Sequence, residues 1–182
     1  MNAIVLIGAR GSGKSSVAAQ LGPEMGRLVV DLDAEALTLA GQDSITQVFA
    51  EDGEAHWRTL EAAALVQALQ HPLVLIDAGG GVGAIDPARS TLMRARRDQH
   101  AVAVWIRCSP DVMVARLGEA PGDRPALSGQ STVAEEAQAI ANARAEAYAA
   151  AADGIVNGDA SVDAVVDEIK RWWTARFGEA PQ

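Results

Sequence analysis

Residues 8 to 15 read GARGSGKS, directly after the apolar run Ala3-Ile4-Val5-Leu6-Ile7 and directly before a segment of helical character. They fit G-x-x-x-x-G-K-[ST], with Gly8, Gly13, Lys14 and Ser15 in the fixed places. No other feature narrows the fold so much. A short, continuously apolar strand reads as one buried on both faces, as in a parallel sheet. Small residues then let the backbone wrap an anion and aim its N–H groups inward, and the helix that follows presents the positive end of its dipole. Lys14 adds a compact, mobile charge. Of the 15 basic residues only Lys14 and Lys170 are lysines, and a planar guanidinium does not replace an ammonium on a polyphosphate. The motif predicts that Gly11, Ser12, Gly13, Lys14, Ser15 and Ser16 cradle a nucleoside triphosphate, with the Ser15 hydroxyl on Mg²⁺.

Strand and helix alternate through the rest of the chain. Strands are expected at Leu28–Val30, Leu73–Ile76, Ala101–Ile106 and Ile155–Val156. Helices are expected from Lys14 to Leu21, where Gly22-Pro23 would end the first, after Asp33, after Ser44, from Glu54 to Gln70, from Pro87 to Arg97, from Pro110 to Leu117, from Thr132 to Ala152, and from Ser161 to Phe177. The pattern predicts an α/β three-layer sandwich: a parallel sheet of about five strands with helices on both faces. One domain over residues 1–178 is expected, with a frayed tail at 179–182 and a lid loop at about 118–131, rich in Gly, Pro, Ser and charge.

Composition removes several function classes. The net charge of -9 speaks against a nucleic-acid partner and against an anionic membrane surface, because both demand a basic face. No apolar run reaches the length of a membrane span, and no signal peptide is expected. Cys108 is the only cysteine, so an internal disulfide is impossible and a cytoplasmic location is expected. A monomer is expected.

A phosphate loop identifies the donor and not the acceptor. Asp31 and Asp33 stand where the second strand stops, the edge at which open parallel sheets bind ligands. They can serve Mg²⁺ and take a proton from an attacking hydroxyl, or Asp33 can simply cap a helix. Arg58 and Glu61, three apart on a helix, are surface neighbours, either as a solvated pair or as an anion grip held still by the carboxylate. Gly79-Gly80-Gly81 lets a ligand approach bare backbone, where one glycine would serve a turn. Asp77 either finishes a metal-binding strand or caps that turn. Arg124 lies in the long loop and Arg144 on the helix after it; each is a surface residue unless the fold brings it to the phosphates or the acceptor.

Taken in order, the set closely resembles the shikimate kinase family: a phosphate loop, a D-x-D pair, then F-x-x-x-G-E-x-x-F-R-x-x-E, a triple glycine, R-P-x-L in a lid, and R-x-x-x-Y on a helix. Here these are Gly8 to Ser15; Asp31 and Asp33; Phe49, Gly53, Glu54, Trp57, Arg58 and Glu61; Gly79 to Gly81; Arg124-Pro125-Ala126-Leu127; and Arg144 with Tyr148. The resemblance spans about residues 3 to 170. It implies ATP- and Mg²⁺-dependent phosphorylation of the 3-hydroxyl of shikimate, in aromatic amino-acid biosynthesis. It further implies that Lys14, Asp33 and Arg124 are catalytic, and that Arg116 packs on adenine. Asp31 and Ser15 would attend the metal. Arg58 and Arg144 would bind the substrate carboxylate, with Glu61, Phe49, Trp57 and Gly79 to Gly81 completing the acceptor pocket.

Three positions depart from the family pattern. Trp57 stands where Phe is usual, Ala126 replaces a larger apolar residue, and Asp77 adds a carboxylate where small neutral residues are usual. A gluconate kinase is the nearest rival, since its acceptor is also a hydroxylated carboxylate. The Arg58 helix motif and the triple glycine favour shikimate. A nucleoside monophosphate kinase would carry a D-G-F-P-R-like segment after the third strand, and a GTPase would carry N-K-x-D. Neither is present. A nucleotide-binding module without catalysis would not be expected to keep Lys14, Asp33 and Arg124 together.

Overall fold

The structure is a computed structural model that describes residues 3–119 and 133–178. Its elements run β1 (Ala3–Ile7), α1 (Lys14–Glu24), β2 (Leu28–Asp31), α2 (Leu32–Ala40), α3 (Ile45–Glu51), α4 (Gly53–Ala68), β3 (Val74–Asp77), α5 (Ala88–Arg97), β4 (Ala101–Arg107), α6 (Pro110–Glu119), α7 (Val133–Ala151), β5 (Gly154–Asn157) and α8 (Val162–Phe177). The five strands form one sheet in the order β2-β3-β1-β4-β5, and all four pairings are parallel. This is the expected layered architecture.

β1 lies at the centre, wholly buried, and its alternation divides the core in two. Ala3, Val5 and Ile7 join one cluster with Trp57, Leu65, Leu92, Trp105 and Tyr148, under α2, α4, α5 and α7. Ile4 and Leu6 join the other with Val17, Leu21, Val165, Ile169 and Trp173, under α1 and α8. A strand of uniform hydrophobicity is what a sheet covered on both faces requires. β1 also fixes where the phosphate loop begins, at the middle of the carboxyl edge of the sheet. There the crossovers diverge, that of β1 running to β2 on the β3 side and that of β3 to β4 on the other, the switch point at which such sheets bind ligands.

One local expectation is corrected and one open alternative is decided. Gly22-Pro23 does not end α1, which continues to Glu24 with Pro23 in its last turn. Gly22 answers to packing instead: a Cβ there would lie 2.1 Å from Cγ2 of Val29 on β2. The helix after β2 is capped not by Asp33 but by Asp31, whose Oδ1 accepts from the N–H groups of Asp33 and Ala34 at 3.0 and 3.2 Å. Ser44 and Ser161 cap α3 and α8, accepting from Gln47 N at 3.1 Å and Ala164 N at 3.4 Å.

Candidate active site

The phosphate loop closes between β1 and α1 on three glycines with positive φ: Gly8 at 147°, Gly11 at 79° and Gly13 at 91°. A side chain at any of them would be strained. At Gly8 it would also meet the carbonyl of Ile106 at 2.8 Å. Gly13 is the N-cap of α1 and contributes no side chain to it, so the first N–H groups of the helix face the cleft as donors for an anion. Lys14 is buried, and its Nζ donates to the carbonyl of Ala9 across the loop at 3.0 Å.

The loop opens on a cleft of about 590 Å³. Gly11 to Ser16 form one wall. Asp31, Asp33, Asp77, Gly79 and Gly80 line the β2–β3 side, and Arg116, Gly158 and Ala160 the β4–β5 side. Arg116 ties the second side together. Its Nη1 donates to Ser12 O at 3.2 Å and its Nη2 to Ala160 O at 3.4 Å, which lays the guanidinium plane beside the phosphate loop. Asp77 is buried at the end of β3, in register with Asp31 and with Leu6. Burial pushes its carboxyl above the usual aspartate range, and Asp31 and Asp33 add to that. The Lys14 charge and a hydrogen bond from Ser15 pull the other way.

The triple glycine meets a second cluster behind this cleft. The Gly80 carbonyl accepts from Arg144 Nη1 at 3.0 Å and from the Tyr148 hydroxyl at 2.5 Å. Burial raises the Tyr148 phenol, which keeps it a neutral donor. A Cβ on Gly81 would fall 2.4 Å from Arg58 Nη1 and 3.2 Å from Glu61 Oε2, so only glycine lets this backbone lie against the guanidinium. Arg58 is buried. It donates to the fully buried Glu61 at 2.7 Å through Nη1 and to Glu54 through Nε and Nη2 at 3.1 and 2.5 Å. Burial alone would lower its pKa, but Glu61 and Glu54 more than reverse this, and the charge is fixed. Trp57 is also fully buried, with the Phe49 ring edge-on to it at 6.4 Å between centroids.

The fold therefore joins residues far apart in sequence. Arg58 and Arg144 reach adjacent glycines, and Asp33 faces the same cleft as Lys14. Arg124 and the rest of R-P-x-L lie outside the described residues. The sequence reading assigned no role to Glu54, although it stands four residues before Arg58 on one helix face. Nor did it give Tyr148 a partner, since Gly80 is 68 residues away and no local spacing signals that contact.

A metal of the magnesium type fits these donors. Among the described residues no three His, Cys, Asp or Glu side chains converge as a metal cage. Mg²⁺ asks for less, since it keeps most of its water and takes one or two protein oxygens plus phosphate. Ser15 and Asp31 are exposed to the cleft and can provide them.

The shikimate kinase family model matches residues 10–174. The chain belongs to the shikimate kinase family. It is 37% identical over 168 residues to a shikimate kinase of Nitratidesulfovibrio vulgaris, covering 91% of this chain and 92% of the other. With one from Rhodopirellula baltica it shares 34% over 181 residues, covering 97% and 93%. The crystal structure of shikimate kinase from Aquifex aeolicus superposes with a TM-score of 0.76 at 29% identity, over 95% of this chain and 96% of that one. The fold also matches shikimate kinase from Acinetobacter baumannii in complex with shikimate, with a TM-score of 0.84 at 21% identity, over 97% and 96%. Membership of the shikimate kinase family makes the chain an ATP-using phosphotransferase. Among the described residues no helix is long and apolar enough to cross a membrane.

Proposed function

We propose that this chain transfers the γ-phosphoryl group of ATP to the 3-hydroxyl of shikimate. The observation that carries the reading is the meeting of Arg58 and Arg144 at Gly80 and Gly81, beside the cleft shared by Lys14 and Asp33. A small acceptor that is both a carboxylate and an alcohol fits such a site. The two guanidinium groups would hold the carboxylate through charge-assisted hydrogen bonds, and Asp33 would receive the hydroxyl proton.

The chemistry asks for positioning and charge neutralisation. The acceptor oxygen forms a bond to phosphorus as the bridging P–O bond to ADP breaks, and the proton passes to the Asp33 carboxylate. Lys14 would leave the Ala9 carbonyl for the outer phosphates, with the loop amides of Gly11 to Ser16 on the remaining oxygens. Arg116 would cover the adenine, and Arg124 would meet charge developing on the transferred group. Ser15 and Asp31 would hold Mg²⁺. The metal supplies neutralisation of the β- and γ-phosphate charge. Glu61 holds Arg58 in place, and Phe49 and Trp57 back the acceptor pocket from the core.

The test is ADP release with ATP, Mg²⁺ and shikimate, run beside gluconate, quinate and no acceptor. Shikimate-dependent turnover is expected, falling at least a hundredfold in Asp33→Ala, the lower range for loss of a general base. In Arg144→Ala the shikimate KM should rise with little change for ATP. Arg144 is the better arginine to remove, because Arg58→Ala would take a buried cation away from the buried Glu61 and cost stability. Turnover with gluconate and none with shikimate would refute the acceptor assignment.

A further inference from the structure

We propose that Tyr148 is a positioning residue for the acceptor: its hydroxyl fixes the peptide between Gly80 and Gly81 so that the Gly81 N–H is turned away from α7. It keeps the peptide there when Arg144 lets go of the Gly80 carbonyl to take the acceptor carboxylate. The inference rests on the acceptor half of the reading above and gives Tyr148 a part that the reading leaves unassigned.

The backbone of the turn supports this. Every carbonyl of the triple glycine is engaged within the protein. Gly79 O accepts from Val82 N at 3.1 Å, and Gly81 O accepts from Ala84 N and Ile85 N at 2.9 and 2.7 Å. Gly80 O takes Arg144 Nη1 and the Tyr148 hydroxyl. Among the described residues no backbone hydrogen bond starts from the N–H of Gly80 or Gly81, although both residues are buried. Buried donors left over in this way call for a ligand. A trans peptide is planar, so its N–H points opposite to its C=O. Whatever holds the Gly80 oxygen therefore aims the Gly81 N–H. With glycine on both sides, sterics do little to stop this peptide from turning over, which would set a carbonyl oxygen where a donor belongs. Arg144 and Tyr148 stand four apart on α7, so both reach the same atom. Arg144 is the one a carboxylate draws off, because its charge suits that partner. Tyr148 stays: its ring packs on Trp105 at 5.7 Å between centroids, and its Cδ1 lies 2.8 Å from where a Cβ on Gly83 would be.

The sequence makes this peptide easy to observe, since glycine follows glycine only at residues 79–81. With glycine labelled at ¹³C′ and ¹⁵N, a carbonyl–amide correlation spectrum holds only the Gly79-Gly80 and Gly80-Gly81 peptides. The second signal is to be followed with and without shikimate in wild type and in Tyr148→Phe, which keeps the ring and removes the hydroxyl. Kinetics in both substrates are run beside it. In wild type, shikimate should shift the Gly81 amide, because its N–H gains an acceptor. In Tyr148→Phe the Gly80 carbonyl should shift before any ligand is added. The shikimate KM should rise about tenfold, the loss of one hydrogen bond, with the ATP KM unchanged. A wild-type Gly81 amide that ignores shikimate at concentrations saturating turnover overturns the proposal without any variant. So does an unmoved Gly80 carbonyl in Tyr148→Phe, and so do equal rises in both KM values, the mark of a merely structural role. If the chain turned over gluconate and not shikimate, the acceptor assignment would fall. The same shifts seen with gluconate would then leave the role of Tyr148 standing, and their absence would end it.

Discussion

Gly81 shows how a residue with no side chain can set a binding site. Arg58 Nη1 occupies the space a Cβ would need, 2.4 Å away. The guanidinium cannot retreat freely, since Glu61 and Glu54 hold it from two sides. Gly81→Ala should therefore push the arginine against those carboxylates and off the position from which it serves the acceptor. The expected result is a shikimate KM raised about tenfold, equivalent to about 1.4 kcal/mol, with the ATP KM unchanged. Steady-state kinetics in both substrates checks this; equal changes in both would show a general loss of structure instead. Cys108 makes the opposite point, that a half-exposed thiol is not thereby reactive. Burial, the Asp159 carboxylate and the hydrogen bond to it push its pKa up to about 12, against the pull of Arg116. At pH 8 the thiolate fraction is on the order of 10⁻⁴. Alkylation by iodoacetamide should proceed orders of magnitude more slowly than for a free thiol, and full modification within minutes would contradict the geometry.

At the scale of elements, α7 carries Arg144 and Tyr148 to the triple glycine, so its placement matters to the site. Arg96 of α5 fixes its far end. It pairs with Asp153 through Nε and Nη2 at 2.7 and 2.8 Å and donates to the Ala150 and Ala152 carbonyls at 3.3 and 3.2 Å, a cation on the last carbonyls of a helix. Asp153 also accepts from Ala103 N on β4 at 2.9 Å. Arg96→Ala should cost about 2–3 kcal/mol, somewhat below the loss for a fully buried pair, and should raise the shikimate KM. Burial opposes the Asp153 charge, but Arg96 and the Ala103 N–H outweigh it and hold the pKa below the ordinary 3.8. A depressed folded pKa means stability present above 3.8 and lost as pH falls through the folded value. The difference between wild type and Arg96→Ala should be full at pH 7 and shrink on acidification below about 4, as urea melts at a series of pH values would show. A deficit independent of pH would mean that the pair is not its cause.

These elements were legible in the sequence to different degrees, for physical reasons. β1 and the loop from Gly8 to Ser15 carry their signal locally, in an apolar run and in glycines that only one backbone path accepts. Arg58 and Glu61 share a helix face, so spacing alone brought them together. Pro23 misled because it reads as a terminator, whereas Gly22 is required by Val29 of another element. Which of Asp31 and Asp33 caps α2 depends on where the strand stops, a matter of one residue that propensity does not resolve. The convergence of Arg144 and Tyr148 on Gly80 is invisible locally, because a contact across 64 and 68 residues exists only after the sheet has formed. Resemblance to a family supplied those positions without supplying the carbonyl they share.

For the whole molecule, the order β2-β3-β1-β4-β5 places the two halves of the site on opposite sides of β1. Asp33 and Gly79 to Gly81 hang from β2 and β3. Arg116 follows β4, and Gly158 and Ala160 follow β5, with the phosphate loop between the two sets. The acceptor and the nucleotide therefore engage different strand connections and should stabilise the fold separately. A ligand that binds only the folded state, at about a hundred times its Kd, adds about 2.7 kcal/mol. For a chain of this length that amounts to a rise in Tm of roughly 5–10 °C. ADP with Mg²⁺ and shikimate should each raise Tm on their own. Arg144→Ala should abolish the shift from shikimate and keep the shift from ADP, whereas Lys14→Ala should do the reverse. Thermal melts of the three proteins with each ligand decide it. If either variant lost both shifts, the halves would be one site whose parts form only together, and the separation that the strand order implies would be wrong.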